Sequence, residues 1–435
     1  MRVASLAGLV GLIVLASTVF AAAQAQVEDS SLAPVADALV AVRAIHAINA
    51  SDDAGPELTP VKRALRQWAE ARISSLPQWG DVAKLERQMN DALSAARLEC
   101  DDSPDSGQCV DKQEGIPIGL NARGYVSDVK LTRLSLDRYL ALETNVGIRC
   151  GYDQSLYIYE WIGGRWRLLF EDEQDDYIEK DYRPQYFLSV AASSPPPAPD
   201  AVADTPAPPP LVLTLGAPPV CVSNWHGLYT RLWRASRSDP SPKPLIDWVD
   251  SLYLGEDPAV ADASLTNDDL LIEFKSNSID GGLLVRPIVR HYLIDKKDKL
   301  KRIAPVALSP NDFVDEWLTR GWRETSNWTD AAGEKVALAR WHGALHRPAG
   351  LIFGEFGGSP KRCRRDPTLW EVSFAFDGGG DKDYRLGWPV YFQVRWMAPY
   401  RFTLVRISRS RDPNCDRRDD MPDDLGTLFP LQDHR

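Results

Sequence analysis

His342 and His346 stand four residues apart in the string WHGALHRP, a spacing that puts two imidazoles side by side on a helix and within reach of a shared metal ion. Gly343 and Pro348 make such a helix short at best, and no carboxylate is inserted to serve as a base. Metal sites take three or four ligands, and only two are visible here. The string WHG also recurs at Trp225 to Gly227, which fits a repeated structural turn better than a unique site. A second candidate is FDGGGDKDY, where Asp377, Asp381 and Asp383 crowd a glycine-rich loop of the kind that can wrap calcium. It lacks the glutamate at the twelfth position of an EF-hand loop, and a hairpin turn accounts equally well for its glycines. Calcium at that loop is the one cofactor the sequence suggests.

Acid–base and nucleophilic chemistry have weaker candidates. The run EDEQDD from Glu171 to Asp176 holds five carboxylates, and a glycosidase needs two at a set separation across its substrate. Neighbouring carboxylates on a solvated loop lack the burial that raises the pKa of an acid, so a plain charged surface is the better expectation. Ser127 and Lys130 form an SxxK string, the spacing that converges on a helix in acyl enzymes of the β-lactam type. Here it lies in YVSDVKLTRLSL, whose residues favour a strand, where positions three apart point to opposite faces. The strings GxSxG, HExxH, Walker A and GxGxxG do not occur.

Six cysteines, Cys100, Cys109, Cys150, Cys221, Cys363 and Cys415, contain no CxxC, which removes the usual signature of zinc knuckles and of thioredoxin-like redox centres. An even count in an exported chain favours disulfides. Cys100 and Cys109 flank a short polar turn and are expected to pair with each other. Cys150 with Cys221, and Cys363 with Cys415, complete the expected pattern.

Export itself is read from the N-terminus. Arg2 precedes an apolar run from Leu6 to Phe20, and Ala23 and Ala25 supply the small residues that a signal peptidase needs. Residues 1–25 are therefore expected to be a cleaved signal peptide, because the run is shorter than the roughly 20 residues that span a bilayer. No later stretch approaches that length, so no transmembrane segment is expected after signal removal. The mature chain would sit outside the cytoplasm, in a periplasm or secreted. The net charge of −11, with no basic stripe among aromatics, argues against nucleic acid as a partner. Asn49 (NAS) and Asn327 (NWT) would accept glycans only along a eukaryotic route.

The elements that must position these residues fall into two regions. Over residues 30–99 the apolar period is helical, through Val35, Leu39 and Val42, then Val61, Leu65 and Trp68, then Val82, Leu85, Met89 and Leu93. Three helices fit, the second starting at Thr59 and Pro60, the third capped by Asp81. Residues 110–410 read as antiparallel strands, beginning with YVSDVKLTRLSL, YLALET, SLYIYEW, WRLLFEDE and QYFLSVAA, with a hairpin at Gly163 and Gly164. A short helix interrupts them at Asp312 to Leu318, capped by Ser309 or Asn311. The Pro/Ala-rich segment 193–219 is expected to be a long loop inside the β region, and residues 411–435 a charged tail.

A weak internal repeat runs through the β region. LALETNVGIRC and LVLTLGAPPVC each span 11 residues and end in Cys150 and Cys221, followed by LYIYEW and LYTRLW. Further copies are suggested at DLLIEFKS with VRHYLID, and at LWEVSFAF with VYFQVRWM. Units of this size imply repeated meanders that bury their faces by stacking, in a propeller-like array or an irregular sandwich. The fold expected is mainly β with an N-terminal helical subdomain. The function expected is that of an exported, non-enzymatic β-rich binding or structural protein with a protein or glycan ligand. A secreted or periplasmic hydrolase of glycans or peptides is the alternative. A tryptophan-lined groove would mark the first, and a pocket of carboxylates with shifted pKa the second.

Overall fold

Alternating apolar residues dominate the chain after the first hundred positions, and they form strands wherever one face can be covered. A computed structural model describes residues 31–43, 55–96, 98, 124–134, 138–148, 151–173, 186–189, 209–217, 223–253, 261–281, 285–303, 307–330, 335–346, 354–376, 389–398 and 401–417. The fold is mostly antiparallel β sheet with helices at the N-terminus, and it closes no barrel.

The N-terminal helices are α1 (Ala33–Arg43), α2 (Gly55–Ile73) and α3 (Val82–Ala95). Helix α2 begins earlier than Thr59 and takes Pro60 within its first turns. Asp81 caps α3 as its type and position require, accepting from the Lys84 amide at 2.9 Å.

The first sheet is a meander of β1 (Val126–Leu134), β2 (Tyr139–Ile148), β3 (Gly151–Ile162) and β4 (Arg165–Asp172). Its β3–β4 turn places Gly163 and Gly164 at φ +59° and +78°, where a side chain would be strained. The second sheet runs β5 (Tyr186–Ser189), β6 (Leu211–Gly216), β7 (Trp225–Arg234) and β8 (Ile246–Tyr253). The Pro/Ala-rich segment 193–219 is thus not loop throughout, because LVLTLG within it is a fully buried strand. The third sheet is β9 (Ala261–Leu265), β10 (Asp269–Asn277), β11 (Val285–Ile294) and β12 (Leu300–Arg302). LALET, LVLTL and DLLIEFKS each fall in the second strand of their sheet.

Three helices follow: α4 (Pro310–Thr319), α5 (Trp322–Thr325) and α6 (Lys335–Leu345). Ser309 caps α4. The fourth sheet has β15 (Leu369–Phe376), β16 (Val390–Ala398) and β17 (Arg401–Ser408) as its centre. Short strands β13 (Gly354–Phe356), β14 (Lys361–Cys363) and β18 (Cys415–Arg417) complete it.

The two faces of each strand decide the layering. In the first sheet Leu140, Leu142, Tyr157 and Tyr159 meet the N-terminal helices, while Tyr139, Ala141, Leu156, Ile158 and Phe170 meet Val212 and Trp233 of the second sheet. Leu211, Leu213 and Leu215, on the other side of β6, pack on Leu270, Ile272 and Phe274 of the third sheet. The fourth sheet shares a separate core with α4 and α6, through Phe313, Trp317, Leu338, Phe374 and Phe392.

Candidate functional site

Four places gather groups capable of chemistry or recognition. In the first, α2 crosses the first sheet. Arg66 and Glu70 lie one helical turn apart, Tyr157 and Tyr159 share a face of β3, and Glu171 and Glu173 share a face at the end of β4. Arg66 bonds Glu171 and lies 3.2 Å from Glu173, the Tyr157 hydroxyl donates to Glu173 at 2.7 Å, and Tyr159 donates to Glu70 at 3.2 Å. The Ser241 hydroxyl donates to Glu171 at 2.5 Å. Burial pushes the Glu70 carboxyl up against the pull of Arg66, and burial likewise raises both tyrosines. Glu70 is thereby suited to hold a proton, and Glu171 and Glu173 pair with the guanidinium. The run EDEQDD is accordingly not a solvated loop at this end: Glu171 and Asp172 belong to β4, and Asp172 is buried.

The second place is a buried ionic lattice beneath α4. Arg286 pairs with Asp315 and Glu316, both at 2.7 Å, and Arg302 reaches Glu316 at 2.7 Å and also Glu324. Arg290 and Arg320 converge on Asp250 at 2.5 and 3.4 Å. Burial opposes the charge of Glu316, but Arg302, Arg286 and Arg290 outweigh it and hold its pKa down at about 2. At Asp250 and Asp315 burial prevails over the arginines, and both carboxyls are raised. Every cation here faces an anion across the joint of the second and third sheets with α4, an arrangement that fixes geometry.

The histidine pair is the third. WHGALH forms helix rather than breaking it, and the two rings stack with centroids 3.7 Å apart. His342 Nε2 lies 2.8 Å from the Arg320 carbonyl, and His346 Nδ1 lies 2.8 Å from the His342 carbonyl. Burial, helped by His346, lowers His342 to about 4, so it is neutral and donates to that carbonyl. Among the described residues no group of three or more histidine, cysteine, aspartate or glutamate side chains could hold a metal ion. The shared string WHG is not a shared turn, since Trp225 to Gly227 opens strand β7 and Trp341 to Gly343 lies in α6.

The fourth place is an open face of the second sheet. Register pairs Trp225 with Tyr253, Gly227 with Ser251, Tyr229 with Val249 and Arg231 with Asp247, and these eight positions share one face. Leu228, Leu232, Ile246 and Leu252, on the opposite face, are buried against the third sheet. Trp225 is 39% exposed and Val249 53% exposed, Tyr229 and Tyr253 are part-buried, and Trp233, further along the same face of β7, is buried against Phe170 of the first sheet. The Trp225 and Tyr253 rings are 5.0 Å apart, and the Arg231 guanidinium lies 5.3 Å over Tyr229 while its Nε bonds Asp247 at 3.0 Å. Sequence inspection missed this row, although the alternation in WHGLYTRLW against IDWVDSLY contains it once the two strands are set side by side.

Of the remaining sequence candidates, Ser127 and Lys130 sit on β1 and do not converge, Ser127 bonding Asp128 and Lys130 pairing with Glu143. Cys363 and Cys415 are disulfide-bonded across β14 and β18. Asp377, Asp381, Asp383, Cys100, Cys109, Cys150, Cys221, Asn49 and the segment 1–25 lie outside the described residues. The sequence matches no protein-family model and no curated protein.

Proposed function

We propose that the chain is an exported, non-enzymatic binding protein that presents the open face of its second sheet to a ligand. The observation carrying this reading is the pair of exposed apolar side chains Trp225 and Val249, set beside the part-buried Tyr253 and Tyr229 on one face of β7 and β8. The Cys363–Cys415 bridge supports an oxidising compartment, and with it removal of residues 1–25 and pairing of Cys100 with Cys109 and Cys150 with Cys221. Among the described residues no helix is long and apolar enough to cross a membrane. The common place of LALET, LVLTL and DLLIEFKS within their sheets supports a repeated meander as the unit of the array.

The hydrolase alternative rests on Glu70, whose carboxyl is raised beside two further carboxylates. One preparation tests both. Expressed at full length, the protein should be recovered outside the cytoplasm without residues 1–25 and should release no product from chromogenic glycosides or peptides. Turnover that disappears in Glu70→Gln would replace the binding reading with the hydrolytic one, and six free thiols in a cytosolic product would overturn export.

A further inference from the structure

Beyond the second-sheet reading, we infer that one end of the first sheet docks the protein on an anionic phospholipid surface. Helix α2 runs in step with β3: Lys62 lies 3.0 Å from Asp153, Tyr159 donates to Glu70 a little further on, and Trp166 Nε1, just past the β3–β4 turn, donates to the Leu76 carbonyl at 3.0 Å. Helix α3 returns along β1, with Asn90 at Val129 and Glu86 at Leu131. The α2–α3 turn therefore lies beside the β3–β4 hairpin tip, at the end where β1 finishes. Arg133 of β1 ties the turn down by donating to the carbonyls of Gln78 and Gly80.

This turn presents Trp79, at 72% the most exposed large apolar side chain among the described residues. The mount is stiff. The Gly80 amide donates to the Pro77 carbonyl at 2.8 Å, and a Cβ on Gly80 would meet Leu76 Cδ1 at 2.5 Å. Next to it Trp161 and Ile162 are part-buried at the hairpin tip, where Gly163 and Gly164 carry no side chain to hold a flat surface away. The charge has the sign that lipid phosphates require. The chain as a whole carries −11, yet Lys84, Arg165 and Arg167 are exposed at this end and form no ion pair among the described residues. The buried Glu160 is shared by Arg138 at 2.5 Å and Arg237 at 2.8 Å, two cations on one anion. Against them stands Asp81, whose carboxylate accepts from the Lys84 amide. An anionic bilayer attracts such a patch, and an indole at its rim settles at headgroup level with its ring in apolar surroundings and its N–H wet. A soluble polyanion would use the cations and leave Trp79 idle.

The test floats the protein, as recovered after export, with vesicles of phosphatidylcholine alone and of phosphatidylcholine mixed with phosphatidylglycerol. It should rise with the mixed vesicles, less so as salt is added, and stay behind with phosphatidylcholine. Trp79→Ala should weaken the association about tenfold, and Arg165→Gln and Arg167→Gln about fivefold each. Thermal midpoints should not move, because all three side chains stand in solvent. Trp225→Ala, on the second sheet, should float like the wild type. Absence of flotation, equal flotation with both lipids, or indifference to Trp79→Ala would overturn the docking surface. Loss in Trp225→Ala alone would move lipid binding to the second sheet and overturn it too. Retention on heparin that survives Trp79→Ala, with no flotation, would assign the cations to a soluble polyanion and leave the second-sheet reading untouched.

Discussion

His342 shows how a residue that looks like chemistry serves structure. Its ring is buried between Trp317, Trp322 and His346, and its Nε2 faces the Arg320 carbonyl, so protonation would place a charge where only the neutral form is welcome. With a folded pKa of about 4 against 6.5, the unfolded chain takes up a proton first as pH falls. This contribution to stability is complete above pH 6.5 and lost progressively down to pH 4, amounting to roughly 3 kcal/mol. Urea midpoints taken across that window should fall more steeply for the wild type than for His342→Gln, which keeps a donor and cannot charge. Equal slopes would remove the assignment. Glu316 acts lower: held near 2 instead of 4.5, it lends stability that is present above pH 4.5 and lost as pH drops toward 2. Glu316→Gln leaves Arg302 and Arg286 short of an anion in a dry joint and should cost about 3–5 kcal/mol in denaturant titration at pH 7. Neither environment was legible in the sequence. The histidine spacing was visible, but the tryptophans and the carbonyl that neutralise the ring come from other elements, and Arg286 to Glu316 is a contact across the third sheet and α4.

Elements were read more easily, since their cause is local. The strings YVSDVKLTRLSL, YLALET, SLYIYEW, WRLLFEDE and QYFLSVAA each contain a strand among the described residues, because alternation and β-branching act within a few residues. The errors came where boundaries or tertiary contact decide: the loop expected over 193–219 overlaps LVLTLG, which the repeat itself marks as a strand, and α6 persists through Gly343 because Leu338, His342 and Leu345 bury one side of it. Element packing also solves an edge problem that strand reading cannot pose. Strand β1 borders its sheet, and its outward backbone groups would be open to another chain. Helix α3 occupies them: Asn90 Nδ2 donates to the Val129 carbonyl and its Oδ1 accepts from the Val129 amide, both at 2.9 Å, and Glu86 accepts from the Leu131 amide at 2.7 Å. Side chains thus replace a missing strand. Glu86→Ala combined with Asn90→Ala should unseat α3 by about 2 kcal/mol and expose the edge, giving concentration-dependent dimers and larger species by light scattering where the wild type gives none. A variant as monodisperse as the wild type would show that the edge needs no cover.

At the scale of the molecule, what matters is which cores touch. The helical subdomain shares its core with the first sheet, the first sheet meets the second through Phe170 and Trp233, and the second meets the third through Leu213 and Ile272. The fourth sheet, with α4 and α6, keeps a core of its own and joins the third by the ionic lattice and by the bridge between Asp280 and Gly354. In an array bonded to nearest neighbours, a defect spreads as far as the next joint and weakens there. The Cys363–Cys415 bond closes 52 residues of the fourth sheet at its β14–β18 border. Replacing both cysteines by alanine frees that chain in the unfolded state and should cost about 2–5 kcal/mol. If the ionic joint transmits strain less well than the apolar ones, hydrogen exchange should quicken over residues 310–345 and 354–417. Residues 55–96 and 126–148, whose core contains nothing from the fourth sheet, should exchange as before. Acceleration spread evenly over all four sheets would mean that the ionic lattice binds the array into one cooperative unit, since only a joint as strong as the cores it connects could carry the loss that far.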